Sequence, residues 1–494
     1  MRFSQRFILA FSLLLLVAFG AFAQGTGTTS ILSGTVTTDG KPLPGVTVSI
    51  SSPALQGTRT AVTGESGGYF FPALPPGLYT VQMELEGMAP VTRTVTLALA
   101  SSGTVDADLK VKGMAEAITV TATAPAVLET SELARNFTQK EINQLPVRRN
   151  IRDTVLLAPG VNSNGANNQI TISGGPSYDN LFLVNGVVVN ENLRGQPHNL
   201  FIEDAIQETT VITGGISAEY GRFTGGVVST LTKSGGNQFS GSVRDSMTNP
   251  NWIAKTKFVG TKTTANPTGR EADHPDKISS IYEGTLGGYL LRDKLWFFGA
   301  GRYTKGAPAN GFNALSSTVS PSPITFLNTV DEKRYEGKLT AQVTPRHSLI
   351  GSYLKVEQTE NNNFFPPIYD EASIVAQRSL PNDLTALSYN GVLTSNLLLE
   401  AFVSRKKFAF INSGGIFTDR IKGTWIQDNT ARYNAPVFCG VCTPEERNNK
   451  SWELKSSYYM NTRSLGNHNF TVGAENFMEE RIVNNYQSGS QYQI

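Results

Sequence analysis

Apolar and polar residues alternate with a period of two through much of the second half of the chain. Residues 335–343 are an example, with Tyr, Leu, Ala and Val on one face and Glu, Lys, Thr and Gln on the other. Alternation over about 9–11 residues is typical of transmembrane β-strands that turn one face to lipid. The pattern predicts nine strands, near residues 238–247, 280–290, 295–304, 333–343, 348–358, 384–393, 397–407, 451–462 and 469–481.

The connections between these strands are alternately short and long. Short turns are predicted at 292–294, 344–347, 394–396 and 464–468, and long polar stretches at 249–278, 306–331, 359–383 and 409–450. Outer-membrane barrels have this arrangement, with short periplasmic turns and long external loops. An odd number of strands does not close the usual bacterial barrel. We therefore expect residues 237–494 to be the N-terminal part of an incomplete barrel in a longer gene product, because a free half-barrel would leave backbone groups unsatisfied in lipid.

The region 30–112 has shorter strand patterns separated by turn residues. Asp39 and Gly40 form one turn signal, and Pro-Pro-Gly at 75–77 forms another. Strands of five to six residues at this spacing are typical of an all-β sandwich. We predict an Ig-like β-sandwich that serves as an exported spacer.

Residues 131–236 mix helix and strand signals. Thr138 followed by Glu141 is a capping box, and a second short helix at 149–157 ends before Pro159. Strands are predicted at 170–173, 181–184, 187–189, 206–212 and 227–233. The glycine-rich stretch 214–226 does not have the spacing of a phosphate-binding loop. This region is predicted to be a compact mixed α/β unit with tight glycine turns.

The N-terminus has the form of a secretory signal. Arg2 and Arg6 precede the apolar run 7–19, and Ala-Phe-Ala follows at 21–23. This order predicts a signal peptide over 1–23 with cleavage before Gln24. The alternative is an uncleaved anchor helix. The mature chain is expected to be exported, which argues against cytosolic cofactor chemistry.

Composition narrows the function classes. Among 494 residues, 17% are charged and 47 are Gly, with 42 Lys and Arg against 40 Asp and Glu. A net charge of +2 does not favour nucleic-acid binding through bulk basicity. The 4 His lack metal-ligand spacing, and no nucleophile-elbow motif is present. We expect no catalytic residues, no metal and no cofactor, and therefore not an enzyme.

The 2 cysteines, Cys439 and Cys442, form a single C-x-x-C in a predicted external loop. A thioredoxin-type redox site would need a βαβ setting. A zinc site would need a second pair of cysteines. We predict a local disulfide that holds the loop.

The sandwich resembles the carboxypeptidase regulatory-like domain. Its landmarks occur in the expected order: Gly-x-Val from Gly34, Asp-Gly from Asp39, Gly-x-Tyr-x-Phe from Gly67 and Leu-Pro-Pro-Gly from Leu74. The resemblance implies the fold and no peptidase activity.

The mixed α/β unit is similar to the plug of TonB-dependent outer-membrane receptors. The resemblance rests on residues 156–161, on the strand that ends in a turn at Asn185 and Gly186, and on residues 208–233. The last stretch holds the motif residues Glu219, Tyr220, Gly221, Arg222, Gly225 and Gly226. The family more often has Asp-Gly at the turn. Because a sandwich of this kind precedes the plug-like unit, the subgroup that the chain resembles most is the Oar-like receptors.

The resemblance implies a plug inside a barrel of about 22 strands, of which the chain supplies the first nine. It implies a TonB box in the linker 114–130, at Ile118, Thr119, Val120, Thr121 and Ala122. The alternative is a linker strand that only joins two domains. Polar plug loops are candidate ligand-facing segments, and ordinary surface loops are the alternative; the candidates are Asn162, Asn164, Asn167, Asn192, Arg194 and His198.

The sequence therefore predicts a TonB-dependent receptor in the outer membrane of a Gram-negative bacterium. Its partners would be TonB with the inner-membrane energising complex, outer-membrane lipid and an imported ligand. The sequence does not identify the ligand, and iron chelates, cobalamin, saccharides and peptides all fit. The alternative is a structural or adhesive surface protein without transport.

Overall fold

The computed structural model describes most of the chain in three β-rich units. The described residues are 29–52, 54–55, 57–97, 99, 101–112, 119–121, 133–145, 151–191, 195, 197, 202–255, 276, 278–313, 325–364, 374–412, 417, 419–427, 432–433, 445–462, 466–482, 488, 490 and 492–494. The predicted signal peptide lies outside them.

The first unit is a sandwich of two sheets. Its strands are β1 (Ser30–Thr38), β2 (Lys41–Pro42), β3 (Thr47–Ser51), β4 (Thr58–Val62), β5 (Gly68–Leu74), β6 (Gly77–Glu84), β7 (Val91–Leu97), β8 (Ser102–Thr104), β9 (Ala107–Asp108) and β10 (Thr119–Thr121). One sheet contains β2, β1 and β5, with β8 and β9 parallel to β1; the other has the order β10-β7-β6-β3-β4. Asp39 and Gly40 both have positive φ, as a tight hairpin turn requires. The predicted Ig-like sandwich is confirmed.

The second unit is the plug. Its elements are β11 (Leu133–Thr138), α1 (Gln139–Gln144), α2 (Ile151–Val155), β12 (Val161–Asn162), β13 (Thr171–Ile172), β14 (Leu181–Val184), β15 (Val187–Val188), β16 (Ile206–Gly214) and β17 (Val227–Thr232), with 3₁₀ turns at Ala166–Asn168 and Glu203–Ala205. Five strands form a mixed sheet in the order β11-β16-β17-β14-β15. Thr138 and Glu141 make both hydrogen bonds of the predicted capping box at the start of α1.

The third unit is one large antiparallel sheet, which we call the wall. Its strands are β18 (Ser240–Thr248), β19 (Ser279–Leu291), β20 (Leu295–Asn313), β21 (Thr325–Thr344), β22 (His347–Phe364), β23 (Ile374–Thr394), β24 (Leu397–Phe410), β27 (Glu445–Thr462) and β28 (Gly466–Ile482). A small hairpin, β25 (Ile426–Gln427) with β26 (Arg432–Tyr433), and a 3₁₀ turn at Pro250–Trp252 complete the list. All 9 wall strands follow one another in chain order, as the alternation predicts.

The two faces of the wall differ in polarity. On β21 the outward residues Tyr335 and Leu339 are 48% and 51% exposed, whereas the inward Glu336 and Lys338 are buried against the plug. An apolar outer face with a polar inner face is the arrangement of a transmembrane barrel sheet. Among the described residues, no helix combines the length and the apolar character that crossing a membrane requires.

The strands are longer than the hydrophobic pattern predicts. The stretches 306–331 and 359–383 were expected to be loops, but β20 continues to Asn313 and β23 begins at Ile374. The prediction of loop length was wrong there because alternation disappears where both faces of a strand meet polar surroundings. The backbone hydrogen bonds between the strands continue even where the alternation of apolar and polar residues is lost.

Candidate functional site

The inner face of the wall holds the plug, and their common interface is the candidate functional site. Plug residues contact charged side chains on β18, β20, β21, β24, β27 and β28. Apolar residues of the plug also share a buried cluster with Leu354, Val356, Leu384, Ala386 and Phe402 of the strands between. The plug is therefore anchored across most of the width of the sheet.

The predicted Asn185–Gly186 turn lies at this interface. Both residues have positive φ, 49° and 81°, which fits a two-residue hairpin between β14 and β15. Oδ1 of Asn185 accepts a hydrogen bond from the backbone N–H of Thr232 at 3.0 Å and from Nζ of Lys338 at 3.2 Å. Lys338 also donates to the carbonyl oxygen of Thr232 at 2.7 Å. One amide side chain thus connects the turn, the last strand of the plug and the wall.

The motif residues Glu219 and Arg222 form ion pairs with the wall. Nη2 of Arg222 lies 2.9 Å from Oε1 of Glu475, and its guanidinium lies 3.8 Å from the ring centre of Phe477. Oε2 of Glu219 lies 3.3 Å from Nζ of Lys455. Tyr220, between them, is buried in a second apolar cluster of the plug. The motif therefore presents charges of both signs to β27 and β28.

Gly225 and Gly226 are required by close packing. A Cβ at Gly226 would lie 2.4 Å from Cγ2 of Ile172 and 2.7 Å from the carbonyl oxygen of Ile212. A Cβ at Gly225 would lie 2.1 Å from Oδ1 of Asn180. At Gly221, no atom of the described residues lies within 4 Å of that position. Close packing therefore requires glycine at positions 225 and 226 of the motif, but not at position 221.

Sequence reasoning missed a second group of anchors. Glu203 pairs with Arg302 of β20, and Asp204 lies 3.0 Å from Nε of Arg244 of β18. Both acids are almost fully buried. The only signal for them in the sequence is a pair of acidic residues directly before an apolar strand. Such a pair is equally typical of a solvent-exposed turn.

A third group of anchors, also missed, lies on β24 and β27. Nζ of Lys406 donates to the carbonyl oxygen of Asn190 at 2.6 Å, and the lysine is completely buried. Arg447 pairs with Glu191 and with Glu445, and it lies 4.6 Å from the ring centre of Phe410. The polar stretch after β15 is thus tied to the wall at its first residues.

The candidate ligand-facing residues are only partly described. Asn162 and Asn164 are exposed on the plug, and Oδ1 of Asn164 accepts a hydrogen bond from Thr171 at 2.5 Å. Asn167 lies in a 3₁₀ turn. Asn192, Arg194 and His198 lie outside the described residues, and so do Cys439 and Cys442. The ligand-facing role and the disulfide stay predictions.

The candidate TonB box is a strand of the sandwich. Thr119, Val120 and Thr121 form β10, which pairs in parallel with Thr92, Arg93 and Thr94 of β7. Ile118 and Ala122 lie outside the described residues. The part of the segment that is described therefore extends the edge of the sandwich sheet.

Glu208 lies where the plug meets the sandwich. It is buried on β16 and accepts a hydrogen bond from Nδ2 of Asn136 at 3.1 Å. Burial raises the pKa of Glu208 to about 7, although hydrogen bonds from Asn136 and from the backbone of Leu99 act in the opposite direction. The carboxyl group therefore changes its charge near neutral pH.

Two family models match the chain. The model of the carboxypeptidase regulatory-like domain matches residues 31–110, and the model of the TonB-dependent receptor plug domain matches residues 126–228. Over 318 residues the chain is 31% identical to the TonB-dependent transporter Oar of Myxococcus xanthus, an alignment that covers 61% of this chain and 29% of Oar. It is 34% identical over 128 residues to the probable TonB-dependent siderophore receptor PirA of Acinetobacter baumannii, covering 22% of this chain and 17% of PirA.

Solved receptor structures have a similar fold. The siderophore receptor PirA from Acinetobacter baumannii aligns with a TM-score of 0.50 and 19% identity, over 70% of this chain and 48% of PirA. A ferric enterobactin receptor variant from Pseudomonas aeruginosa, in complex with enterobactin, aligns with a TM-score of 0.51 and 15% identity, over 71% and 50%. The chain thus spans less than a third of the length of Oar and about half of these solved receptors.

Proposed function

Because the chain belongs to the TonB-dependent receptors of the Gram-negative outer membrane, we propose that it imports a ligand across that membrane with energy supplied through TonB. The observation that carries the proposal is the plug anchored on the inner face of the wall. Arg222–Glu475, Glu219–Lys455 and Lys338–Thr232 connect the plug to three different wall strands. A plug held largely by polar contacts, beside one shared apolar cluster, closes a lumen and can still be displaced.

The mechanism assigns one task to each part. External loops and the exposed asparagines of the plug bind the ligand. The segment 118–122 pairs with TonB by strand addition, in which main-chain hydrogen bonds supply the affinity. The inner-membrane energising complex then pulls through TonB, and the plug contacts rearrange. No covalent step is involved.

Deletion of residues 118–122 in the full-length receptor tests the proposal. Binding of the purified periplasmic domain of TonB should be lost, because the main-chain ladder has no strand to form on. A matched control replaces Thr119 and Thr121 by Val, which keeps the backbone and the β propensity; binding should persist.

Uptake is measured with the compound that co-purifies with the receptor, identified by mass spectrometry. Its accumulation should fall to the level seen with a protonophore when residues 118–122 are deleted. Unchanged TonB binding and unchanged uptake after the deletion would contradict the proposal and favour a structural or adhesive surface protein.

A further inference from the structure

One aromatic side chain of the sandwich points away from its own core. On β5, Tyr69 and Phe71 belong to the core cluster, whereas Phe70 between them does not. The ring of Phe70 instead stacks on Tyr459 of β27, with centres 4.3 Å apart and planes 5° apart. Both residues are under 10% exposed, at 7% and 6%. The wall, and not the sandwich, therefore buries Phe70.

Polar contacts extend this docking to the plug and to a second wall strand. Nε2 of Gln207 on β16 donates to the carbonyl oxygen of Pro76 at 3.1 Å. Oγ1 of Thr29 donates to Oε1 of Glu400 on β24 at 3.1 Å. Glu400 and Tyr459 both lie close to the short turns of the wall. The sandwich therefore docks at the end of the wall that carries the short turns.

The docked sandwich forms one side of a partly open cavity of about 840 Å³. The cavity is lined by Arg59 and Pro75 of the sandwich, Asn185 and Lys233 of the plug, and Ser352 and Asn390 of the wall. On the plug and wall, the lining mixes amide, hydroxyl and cationic groups with apolar residues such as Leu231, Phe298 and Ile350, as is usual for a ligand-sized cavity. The cavity lies between sandwich, plug and wall, so under the proposed function a displaced plug would open it to the ligand.

We propose that the sandwich is a cap that closes this cavity at the periplasmic end and undocks when TonB engages the strand Thr119–Thr121. The proposal rests on the proposed function, because it takes that strand as the TonB box. The connection is direct: β10 belongs to the sheet of the sandwich through β7. A partner that removes β10 from its sheet, or that adds a strand beside it, therefore acts on the sandwich before it acts on the plug.

The cap is tested by the accessibility of a cysteine in the cavity. Ser352→Cys reports on the cavity, and Ser395→Cys reports on an exposed short turn at the same end of the wall. Both are made in the full-length receptor with Cys439→Ser and Cys442→Ser, and both are labelled with a polymer-linked maleimide too large to pass between the docked sandwich and the wall.

Docking is then weakened from either side of the interface. Phe70→Ala removes the ring on the sandwich, and Tyr459→Ala removes its partner on the wall. We expect each to label the cysteine at 352 about ten-fold faster, as local opening predicts, with no change at 395. Equal effects from two different units exclude misfolding of the sandwich as the cause. The purified periplasmic domain of TonB should accelerate labelling of the receptor that has Phe70 and Tyr459 intact.

Two results would overturn the cap. One is labelling at 352 as fast as at 395 in the receptor with Phe70 and Tyr459 intact. The other is an unchanged rate at 352 in both alanine variants. Failure of the proposed function would appear elsewhere, as TonB binding that survives deletion of 118–122, and it would leave the comparison of the two cysteines unaffected.

Discussion

Nη2 of Arg222 in the plug lies 2.9 Å from Oε1 of Glu475 in the wall, although 253 positions separate the two residues. The side chain of Glu475 is only 8% exposed, and the guanidinium of Arg222 contributes to the compensation of its charge. Arg222 also has a positive φ of 61°. Arg222 thus has a left-handed backbone conformation, an ion pair with Glu475 and a cation–π contact with the ring of Phe477.

We predict that Arg222→Gln loosens the plug by about 1–3 kcal/mol, because a buried carboxylate loses its charged partner. The measurement is the urea concentration at which trypsin begins to cleave the plug in the solubilised receptor. The control is Arg135→Gln, whose ion pair with Glu141 is exposed and should contribute less than about 1 kcal/mol. Equal shifts in the two variants would refute the anchoring role of Arg222.

The turn at Asn185 should tolerate Asp but not Ala. Asp keeps the oxygen that accepts from Thr232 and faces Lys338 with a full charge, and it adopts positive φ readily. Ala loses every side-chain hydrogen bond and destabilises the plug by about 1–3 kcal/mol. The same protease assay measures both variants. A larger shift for Asn185→Asp than for Asn185→Ala would show that a charge at this position costs more than the acceptor oxygen contributes, and would contradict the role given to that oxygen.

Two glycines of one motif should respond differently to the same change. Gly226→Ala places a methyl group against Ile172 and the carbonyl oxygen of Ile212, and overpacking of this kind typically costs about 1–3 kcal/mol. Gly221→Ala meets open space and should be close to neutral. Thermal inactivation of TonB binding distinguishes them. Equal tolerance at both positions would contradict the packing described for β17.

Glu208→Gln should change the pH dependence of stability. Because burial raises the pKa of Glu208 to about 7, the folded state binds a proton that the unfolded chain releases near pH 4.3. The free energy of unfolding should therefore fall as pH rises between about 4.3 and 7, and stay level above that. The substitution removes this slope, worth up to about 4 kcal/mol.

Glu141→Gln is the control for the pH experiment. Burial alone would raise the pKa of Glu141, but hydrogen bonds from Thr138 and the nearby Arg135 hold it below its usual value. Its stabilising effect is therefore present at neutral pH and is lost only as pH falls below about 4.5. If the unfolding midpoint of Glu208→Gln still decreased as the pH rises from 5 to 7, the slope would come from another titrating group.

Cys439 and Cys442 are predicted to form a disulfide in the exported protein. Peptide mapping without reduction should recover one linked peptide, lighter by two hydrogens than its reduced form. Recovery of two free thiols after blocking with iodoacetamide would contradict the prediction.

Local signals predicted the wall strands and the main elements of the plug, but not the full length of the wall strands. The capping box of Thr138 and Glu141, the turn at Asn185 and the period of two on β21 each depend on residues near one another in sequence. The fold class followed from them. The motif also identified Arg222 and Glu219 as important, although it did not identify their partners.

The partners could not be predicted because they depend on which wall strand faces which part of the plug. Glu475 and Lys455 look like any other inward residue of a barrel strand until the plug is placed against them. Glu203 and Asp204 look like a solvated turn, and burial against Arg302 and Arg244 gives them their role. The docking of Phe70 on Tyr459 has no signal in the sequence. Phe70 lies on the face of β5 opposite to the core residues Tyr69 and Phe71, and a period of two alone predicts that this face meets solvent.

The length of the wall strands determines what stands outside the membrane. β21 has 20 residues, which at about 3.3 Å per residue and a tilt of about 40° span about 50 Å along the membrane normal, roughly twice the apolar band. Its outward apolar residues, from Tyr335 to Val343, lie in the half next to the short turn. The other half therefore rises above the lipid as an ordered β-sheet. The part of the receptor farthest from the short turns is thus a continuous sheet on these strands and not a set of separate loops.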